Sequence, residues 1–330
     1  MKKNLRWGFL STAHISQKLI LPIQKSKNHQ IIAVASRDES KARAYAKQFQ
    51  IPQSYGNYEA LLADPQIDVI YNPLPNHLHA EWTIKACQAG KHVLCEKPMA
   101  LSLDEIDAMH SAAQKAGVVI QEAFMYRHHP QTLKAKELVD SGYLGQVRLG
   151  RGVFTFYLKD DENVRLKPEM GGGSLWDVGV YPVSYLRTML GLEPETVWGV
   201  QQTGPSGVDI GFSGEMVFQK GRALGQFQCG FNAVFHTSIE LIGDEGSLYI
   251  PVPFSPYTHC EMVHYWKGKN ETVKVKGQDL YLGELDNMAE CVFNGKPTRV
   301  TIEDSQANTR VILGLLESAR SGNKVRIGTP

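Results

Sequence analysis

Short apolar runs alternate with longer stretches of helical character in the first third of the chain. These runs are rich in β-branched residues and comprise Leu5–Leu10, Ile31–Ala35, Asp68–Asn72, His92–Cys95 and Val118–Gln121. Such alternation predicts βαβ units and therefore a parallel sheet. The clearest helix follows Ser102, has Glu105 in a capping-box position and ends before Gly117. We expect residues 1–122 to form a doubly wound α/β domain.

The pattern changes near Glu122 and Ala123, where we place the domain boundary. One helical segment, Pro130–Ser141, is followed by successive runs of β-forming residues: Val147–Tyr157, Thr196–Gln202, Gly214–Phe218, Ala223–Phe231, Thr237–Ile242, Ser247–Ile250 and Thr272–Val275. Several strands with few helices between them predict a large, mostly antiparallel sheet, hence an α+β domain over residues 123–330. A last helix is expected to begin at Thr301, with Asp304 in its first turn, and to end at Gly322.

Composition limits the kinds of partner. The 330 residues are 42% hydrophobic and 21% charged, with a formal net charge of +1, which is typical of a globular protein and gives no electrostatic field for nucleic acid or anionic membrane. No apolar run approaches the roughly 20 residues that span a bilayer, and Met1–Arg6 lacks the features of a secretory signal. We therefore expect a cytoplasmic protein that binds a small molecule.

The cysteines do not indicate a disulfide framework. There are five of them, an odd number, at wide spacings and without a Cys-x-x-Cys pair: Cys87, Cys95, Cys229, Cys260 and Cys291. Reduced thiols that pack in the core fit this arrangement better than disulfides.

Glu96-Lys97-Pro98 directly follows the apolar run that ends at Cys95. A residue there lies at the carboxyl end of a strand, the edge where open α/β sheets bind ligands. Pro98 fixes its own φ and disfavours the helical region for Lys97, so the lysine is held on a stiff turn. The alternative interpretation is a solvated lysine in an ordinary turn.

The turn after the first strand resembles a dinucleotide-binding turn only in part. The fingerprint requires glycine at its first, third and sixth positions, whereas this chain has small residues there, in the segment Ser11, Thr12, Ala13, His14, Ile15 and Ser16. Small residues can still let the backbone approach a pyrophosphate at a helix N-terminus, and the hydroxyls of Ser11 and Thr12 add donors. An ordinary strand-to-helix turn is the alternative.

The end of the second strand favours NADP over NAD. An NAD site usually has an acidic residue here for the ribose 2′-hydroxyl, but this chain has Ser36 and Arg37, with Lys41 one helical turn later. A hydroxyl and a guanidinium suit a 2′-phosphate. Alternatively, Arg37 begins a solvated helix and pairs with Asp38.

A third cofactor contact is expected in Asn72-Pro73-Leu74-Pro75-Asn76, a rigid extended turn after the third apolar run. Asn76 and the following His77 and His79 add polar groups at the same edge. His77-x-His79 is a weak metal motif without further ligands at recognisable spacing, so we expect no metal.

Taken together, these residues resemble the glucose-fructose oxidoreductase, inositol dehydrogenase and rhizopine catabolism (Gfo/Idh/MocA) family over essentially the full length. The resemblance rests on the motifs above and on two further segments, Tyr126-Arg127-His128-His129-Pro130 and Gly171 to Tyr181. Tyr181 stands where many members have histidine, as in the branch of NADP-dependent dihydrodiol and D-xylose dehydrogenases. The resemblance implies a Rossmann domain followed by a substrate-binding domain.

The resemblance also implies roles for individual residues. Lys97 would lie between nicotinamide and substrate, Asp177 would orient the substrate, and Tyr181 would be the acid-base residue. A free tyrosine has a pKa of about 10, so it needs a nearby cation to act near neutral pH, and Lys97 is the natural candidate. The expected cofactor-binding residues include Glu96 and Lys97 beside those of the three turns, and the expected substrate-binding residues are Arg127, Phe154 and Trp176.

Asp177 and Tyr181 share a face if they lie on one helix, and Gly171-Gly172-Gly173 would give a bulky ligand a flexible approach. Structural roles are the alternatives, with Asp177 favoured by the helix macrodipole and Tyr181 packed in the core.

The leading hypothesis is an NADP-dependent oxidoreductase that acts on a cyclic polyol, aldose or trans-dihydrodiol. Two alternatives stay open: a nucleotide-binding sensor without turnover, and a glycoside hydrolase that uses a tightly held nicotinamide. A broad sheet with an uncovered apolar face also predicts a homodimer or larger oligomer.

Overall fold

The structure is a computed structural model and describes residues 4–328. The prediction that Met1–Arg6 is not part of a secretory signal falls partly on residues 1–3, which lie outside the described residues. The chain divides into two compact units. The first contains the chain up to residue 128 together with 281–305, and the second contains 129–280 and the chain from 306 onward.

The described residues form the following secondary structure. In chain order the strands are β1 (Leu5–Leu10), β2 (His29–Ala35), β3 (Gln53–Tyr55), β4 (Val69–Asn72), β5 (His92–Glu96), β6 (Ile120–Ala123), β7 (Val147–Tyr157), β8 (Pro194–Thr203), β9 (Asp209–Phe218), β10 (Ala223–Gly230), β11 (Asn232–Gly243), β12 (Gly246–Ile250), β13 (His259–Trp266), β14 (Lys269–Lys276) and β15 (Val325–Arg326). The helices are α1 (Ser16–Lys25), α2 (Glu39–Phe49), α3 (Tyr58–Leu62), α4 (His79–Gln88), α5 (Leu103–Ala116), α6 (Pro130–Asp140), α7 (Val180–Leu190), α8 (Leu282–Asn294) and α9 (Ile302–Ser321).

The first unit is built on a parallel sheet with the strand order β3-β2-β1-β4-β5-β6. This is the doubly wound order in which the chain leaves β1 in one direction and later returns to its other side at β4. The carboxyl ends of β1 and β4 therefore form the switch point at which such sheets bind ligands. The predicted α/β fold is confirmed.

Helices cover both faces of this sheet. Side chains of α1, α2 and α8 pack with Trp7, Phe9 and Tyr71 on one face, and those of α3, α4 and α5 pack on the other. From α8, Leu285 and Met288 are fully buried in the first core. Each such side chain stabilises the unit by about 1.5–3 kcal/mol, which explains why a segment so late in the sequence belongs to this unit.

The second unit contains a sheet with the strand order β14-β13-β12-β11-β7-β10-β9-β8-β15. Within the described residues only β7 and β10 pair in parallel, and the other neighbours are antiparallel. Helix α7 packs closely on β7, since a Cβ atom added at Gly152 would lie 2.7 Å from Cβ of Pro182. The predicted large, mostly antiparallel sheet is confirmed.

Most predicted elements are found, with small shifts at their ends. The N–H of Glu105 donates to Ser102 Oγ over 3.2 Å, and Gly117 ends α5 in the left-handed region with φ 66°. The N–H of Asp304 donates to Thr301 Oγ1 over 3.2 Å at the start of α9. Five elements were not predicted: β3, β13, β15, α7 and α8.

The two compact units differ from the predicted domains, which had a single boundary after residue 122. The first switch between units falls after residue 128, and residues 281–305 return to the first unit. Among the described residues, no helix is long and apolar enough to cross a membrane. All five cysteines are buried, and none is in a disulfide.

Candidate active site

The turn after β1 holds Ser11 in the left-handed region, with φ 75°. This is the position of the first fingerprint glycine, and the left-handed region favours glycine. The N–H of Ser11 donates to the carbonyl of Ala35 over 2.9 Å, and that of Ser16 donates to Ala13 over 3.1 Å as α1 begins. The backbone thus adopts a tight strand-to-helix turn at the switch point without glycine.

At the end of β2, the carboxylate of Asp38 caps α2. Its Oδ1 accepts from the N–H groups of Ser40 over 2.9 Å and Lys41 over 3.2 Å, and also from Ser40 Oγ. The hydrogen bond from Ser40 Oγ is the largest influence that lowers the pKa of Asp38. The N–H of Asp38 donates to Ser36 Oγ over 3.2 Å. Asp38 therefore begins a helix and shows no pairing with the neighbouring arginine.

Tyr58, at the start of α3, was not singled out in the sequence. Burial raises the pKa of its phenol, and the Arg37 guanidinium and the Ser11 hydroxyl offset part of that rise. The ring packs edge-on against Trp82 at a centroid distance of 4.9 Å. Arg37 and Ser11, which come from different turns, therefore both lower the pKa of the same phenol.

His79 joins two of the turns at this edge. Its ring is fully buried, with Nε2 2.7 Å from the carbonyl of Leu74 and Nδ1 2.8 Å from the carbonyl of Pro98. Burial lowers its pKa to about 4, so the ring is neutral at pH 7. The ring of His79 therefore packs inside the first unit, and it fixes the turn with Pro73, Leu74 and Asn76 relative to the segment after β5.

The segment that carries Lys97 is anchored on both sides of the lysine. Before it, Tyr71 Oη donates to Glu96 Oε1 over 2.5 Å. After it, the Lys97–Pro98 peptide bond is cis, and the N–H of Met99 donates to Glu122 Oε1 over 2.8 Å. Lys97 itself is half-buried. The residues on either side of Lys97 are thus hydrogen-bonded within the first unit.

Glu122 is the buried anchor of this segment. It is 2% exposed, and its second oxygen accepts from Ser305 Oγ over 2.6 Å. Burial raises its pKa to about 7, although both hydrogen bonds act in the opposite direction. A carboxyl with this pKa changes its protonation near neutral pH. Glu122 is linked to the segment with Lys97 by its hydrogen bond from the N–H of Met99.

In the second unit, Asp177 and Tyr181 lie in consecutive helical turns. Asp177 belongs to a π-helical turn, Leu175–Gly179, which leads directly into α7 at Val180. Tyr181 is the second residue of α7 and is 6% exposed. Isolated π-helical turns occur frequently at functional sites. From the sequence, a helix at these residues was considered only as a condition for a shared face, and this widened turn was not indicated.

Arg165 pairs with Asp177 and was missed in the sequence. Its Nε donates to Asp177 Oδ2 over 2.6 Å. The side chain of Arg165 is 41% exposed and that of Asp177 is 13% exposed. The two residues are twelve positions apart and meet through irregular turns, so neither a helical nor a strand spacing could reveal the pair.

The glycine triplet is tightly packed, contrary to the flexible approach that we expected. A Cβ atom at Gly172 would lie 2.6 Å from the carbonyl oxygen of Arg165, and one at Gly173 would lie 2.3 Å from Asp209 Oδ1. Real Cβ atoms do not approach backbone so closely, so these glycines permit close packing of the chain on itself.

Asp209 holds the start of the π-helical turn from β9. Its Oδ2 accepts from Ser174 Oγ over 2.6 Å and from the N–H of Leu175 over 2.7 Å. The carboxyl is 4% exposed, and burial raises its pKa to about 6. Asp177 is thus fixed from two sides, through Asp209 at the beginning of its turn and through Arg165 at its carboxylate.

An aromatic cluster surrounds Tyr181. The rings of Phe154 and Phe254 lie 5.3 and 5.6 Å from that of Tyr181 and stack on each other at 5.1 Å. Phe235 contacts Phe154 edge-on at 6.4 Å. Phe154 was expected near the substrate, whereas Phe235 and Phe254 were not singled out. Trp176 is 7% exposed.

Arg127 forms an ion pair inside the first unit. Its Nη1 donates to Asp304 Oδ2 over 2.7 Å, with side chains 10% and 22% exposed. Lys97 also belongs to the first unit, whereas Asp177, Tyr181, Phe154 and Trp176 belong to the second. In the part of the chain that the structure describes, no group of three or more histidine, cysteine or carboxylate side chains is arranged to hold a metal ion.

Comparison with known proteins gives consistent matches. The family model described as "Oxidoreductase family, NAD-binding Rossmann fold" matches residues 5–124, and the GFO/IDH/MocA C-terminal domain matches residues 132–249. D-xylose 1-dehydrogenase (NADP(+)) 2 of Haloferax volcanii is 37% identical, over 98% of this chain and 100% of the relative. The trans-1,2-dihydrobenzene-1,2-diol dehydrogenase of Mus musculus is 30% identical, over 96% of both chains.

Two solved structures extend the comparison. The aldose-aldose oxidoreductase from Caulobacter crescentus, complexed with glycerol, has a TM-score of 0.91 at 28% identity, over 98% of this chain and 100% of that one. A 3-ketoreductase from Actinomadura kijaniata, in complex with NADP and TDP-benzene, has a TM-score of 0.90 at 26% identity, over 96% of this chain and 98% of that one.

Proposed function

Since this chain belongs to the Gfo/Idh/MocA family of oxidoreductases, we propose that it is an NADP-dependent dehydrogenase acting on a hydroxyl-bearing carbon of a cyclic polyol, aldose or trans-dihydrodiol. The observation that carries the proposal is the rigid presentation of three reactive side chains. Lys97 is anchored through Glu96 and Met99, and Asp177 and Tyr181 occupy consecutive helical turns.

The residues divide the proposed reaction between them. The nicotinamide of a bound dinucleotide would supply the hydride acceptor for oxidation, or the hydride donor for reduction. In the oxidative direction, Tyr181 acts as a phenolate that the Lys97 ammonium stabilises. Its Oη takes the hydroxyl proton while the hydride leaves the same carbon, so the substrate becomes a carbonyl compound and Tyr181 becomes a neutral phenol. The Asp177 carboxylate accepts a hydrogen bond from a second hydroxyl of the same substrate and so orients it. We propose that the three residues act on one substrate molecule.

The residues around the β2 turn fit NADP. A carboxylate aimed at the ribose would repel a 2′-phosphate, but Asp38 is engaged in capping α2. Arg37 offers a planar pair of donors that suits phosphate oxygens. Names of relatives also support this proposal, since the Haloferax volcanii enzyme is an NADP(+) dehydrogenase and the Actinomadura kijaniata structure contains NADP.

Exchange of Arg37 tests the choice of cofactor. Arg37→Leu should weaken NADP binding about tenfold or more and leave NAD binding nearly unchanged, because a charge-assisted bond to phosphate contributes about 1.5–3 kcal/mol. Titration of both dinucleotides against tryptophan fluorescence measures this. Arg43→Leu is the control, since Arg43 is an exposed residue of α2, the helix that follows Arg37, and pairs with Glu39. Tighter binding of NAD than NADP by the unmodified protein would refute the proposal.

Exchange of Lys97 tests the catalytic role. Lys97→Ala should lower turnover of the best substrate well beyond tenfold, which corresponds to a barrier increase above about 1.4 kcal/mol. The readout is NADPH absorbance across a panel of aldoses, cyclic polyols and trans-diols. Lys115→Ala, in the last turn of α5, should keep full activity. A Lys97→Ala enzyme within tenfold of the wild type contradicts the assignment.

The same panel separates the alternatives. NADP binding without reduction of any compound would indicate a sensor. Release of free sugar from glycosides without net NADPH formation would indicate a hydrolase. Reduction of NADP with a sugar or diol supports the dehydrogenase.

A further inference from the structure

We propose that Arg165 is a positioning residue for Asp177 and thereby sets how tightly the enzyme holds its substrate. The inference rests on the proposed function, since Asp177 matters here as the group that orients the substrate. Arg165 comes from the irregular segment after β7, in a 3₁₀ turn at Val164–Leu166. It lies in none of the sequence motifs that identify the active site.

The guanidinium fixes the carboxylate directly. Arg165 Nε donates to Asp177 Oδ2 over 2.6 Å, while Nη1 lies 3.4 Å from Asn163 Oδ1 in its own turn. Asn163 Oδ1 also accepts from the N–H of Arg165 over 3.1 Å. The arginine is therefore held at both its backbone and its guanidinium, and the carboxylate bonded to it cannot rotate without breaking a charge-assisted hydrogen bond.

The backbone of Arg165 is also hydrogen-bonded to the residues that begin the turn with Asp177. Its carbonyl accepts from the N–H of Gly173 over 2.9 Å, and the N–H of Asp177 donates to the carbonyl of Gly173 over 3.1 Å. The carbonyl of Lys167 accepts from the N–H of Gly172 over 3.1 Å. Gly172 leaves no room for a side chain at this contact. Gly172 and Gly173 thus allow the backbone of residues 165–167 to pack directly against the segment that leads into the turn with Asp177.

This arrangement has a chemical consequence. A substrate hydroxyl donates to a carboxylate best when the carboxylate is ionised and held in one rotamer. Arg165 supplies both conditions, because a nearby cation favours the charged form of the acid. Burial raises the pKa of the Cys229 thiol, and Asp209 and Asp177 both add to this rise. The charged pair Lys167 and Glu162 lies in the same segment as Arg165. The proposed variants of Arg165 leave all of these groups in place.

Two substitutions of Arg165 separate its charge from its shape. In Arg165→Leu, the KM of the best substrate should rise about tenfold or more. In the reductive direction, in which Tyr181 gives up its proton and does not set the acid limb, the acid limb of kcat/KM should move to higher pH. The Kd of NADP should stay unchanged. Arg165→Lys should recover the position of the acid limb but only part of the KM, because lysine keeps the charge and lacks the planar fork.

A matched control comes from β7, the strand that precedes the segment with Arg165. Arg148, at the start of β7, pairs with Asp244 over 3.1 Å, and its side chain is 51% exposed. Arg148→Leu removes an arginine of similar exposure from an arginine-aspartate pair whose carboxylate is more exposed, and it should change neither KM nor the pH profile. If Arg165→Leu matches Arg148→Leu within about twofold in both quantities, Arg165 has no positioning role.

Gly172→Ala is an independent test that keeps every reactive group. The added methyl would collide with the carbonyls of Arg165 and Lys167, at 2.6 and 2.8 Å, so it should displace Arg165 and raise KM as Arg165→Leu does. A KM unchanged from the wild type in a folded Gly172→Ala protein would overturn the proposal.

A measurement without turnover distinguishes this proposal from the proposed function. Carboxyl carbons of aspartate can be labelled with ¹³C and followed by NMR against pH, with Asp177→Asn identifying the signal. The midpoint of that signal should lie at higher pH in Arg165→Leu than in the wild type, whether or not any substrate is turned over. An unchanged midpoint contradicts the role of Arg165, whereas a shifted midpoint in a protein inactive on the whole panel refutes only the dehydrogenase assignment.

Discussion

Glu122 is a buried carboxyl that is hydrogen-bonded to the segment with Lys97, through the N–H of Met99. Folding raises its pKa from the ordinary value of 4.5 to about 7, chiefly through burial. The folded protein therefore keeps a proton that the unfolded chain releases between these two values. Stability should fall as the pH rises from about 4.5 to about 7 and then change little, by an amount on the order of 3 kcal/mol.

Glu122→Gln isolates this contribution. Glutamine can still accept from the N–H of Met99 and can donate to Ser305 Oγ, but it carries no titrating proton. Urea unfolding between pH 5 and pH 8 should show that the wild type loses stability relative to Glu122→Gln as the pH rises. Glu105→Gln is the control, because Glu105 also accepts from a backbone N–H, that of Leu101, without lying in the core. A constant difference between wild type and Glu122→Gln over this range would refute the prediction.

At the level of elements, the irregularity between β11 and β7 directs an aromatic side chain toward Tyr181. The pairs Asn232 with Tyr157 and His236 with Thr155 show that β11 uses four residues where β7 uses two. Such bulges redirect side chains and are frequent beside active sites. Thr155 Oγ1 donates to the carbonyl within the bulge, that of Val234, over 2.8 Å. The bulge leaves Phe235 63% exposed and in contact with Phe154.

We predict that Phe235 favours substrates with an apolar group beside the reacting carbon. Phe235→Ala should raise the KM of a 6-deoxyhexose about fivefold more than that of its parent hexose, since the lost contact contributes about 1 kcal/mol. Steady-state kinetics on such pairs gives the ratio. Tyr157→Ala is a matched control, because Tyr157 is 62% exposed and lies three residues from Phe154 on β7. Since side chains alternate along a strand, the two residues lie on opposite faces of the sheet. Equal ratios in both variants would count against the prediction.

Sequence patterns predicted those elements whose apolar periodicity is uninterrupted. The strands β1, β4 and β5 are short apolar runs in a parallel sheet, which is the strongest signal of this kind. Strand β13 was not predicted because its sequence, His259–Trp266, contains two histidines and a glutamate. Helix α8 was not predicted, although Leu285 and Met288 pack in the core of the first unit. Its place there depends on contacts with strands nearly 300 residues earlier in the chain.

The candidate site was predictable only where a motif is local. Lys97, Asp177 and Tyr181 could be proposed from the sequence because they stand in short segments typical of a known family. Arg165 and Glu122 could not be found in this way, because each acts on a partner that folding brings to it. The role of the glycine triplet was misjudged for the same reason: the sequence shows that Gly172 has no side chain, but not which backbone fills the space.

For the whole molecule, the open face of the second-unit sheet offers a surface for a second copy of the chain. One cross-strand row on this face is apolar apart from a single serine and comprises Val217, Leu224, Leu149, Ile242, Ser247 and Tyr265. The next row contains Glu215, Arg151 and Glu240, with Arg151 Nη1 3.5 Å from Glu240 Oε2. A row with charges of both signs beside an apolar row is suited to a two-fold contact, in which the same patch meets itself.

We predict that the protein is a dimer at micromolar concentration and that Leu224→Glu converts it to a monomer. Leu224 is 45% exposed in the apolar row, and a carboxylate there would be desolvated against its own copy across the two-fold axis, which costs several kcal/mol. Sedimentation velocity measures the change. Leu133→Glu is the control, since Leu133 is 40% exposed on α6, away from the sheet face. A wild type that sediments as a monomer would contradict the prediction, and a Leu224→Glu protein that stays dimeric would assign the contact to another surface.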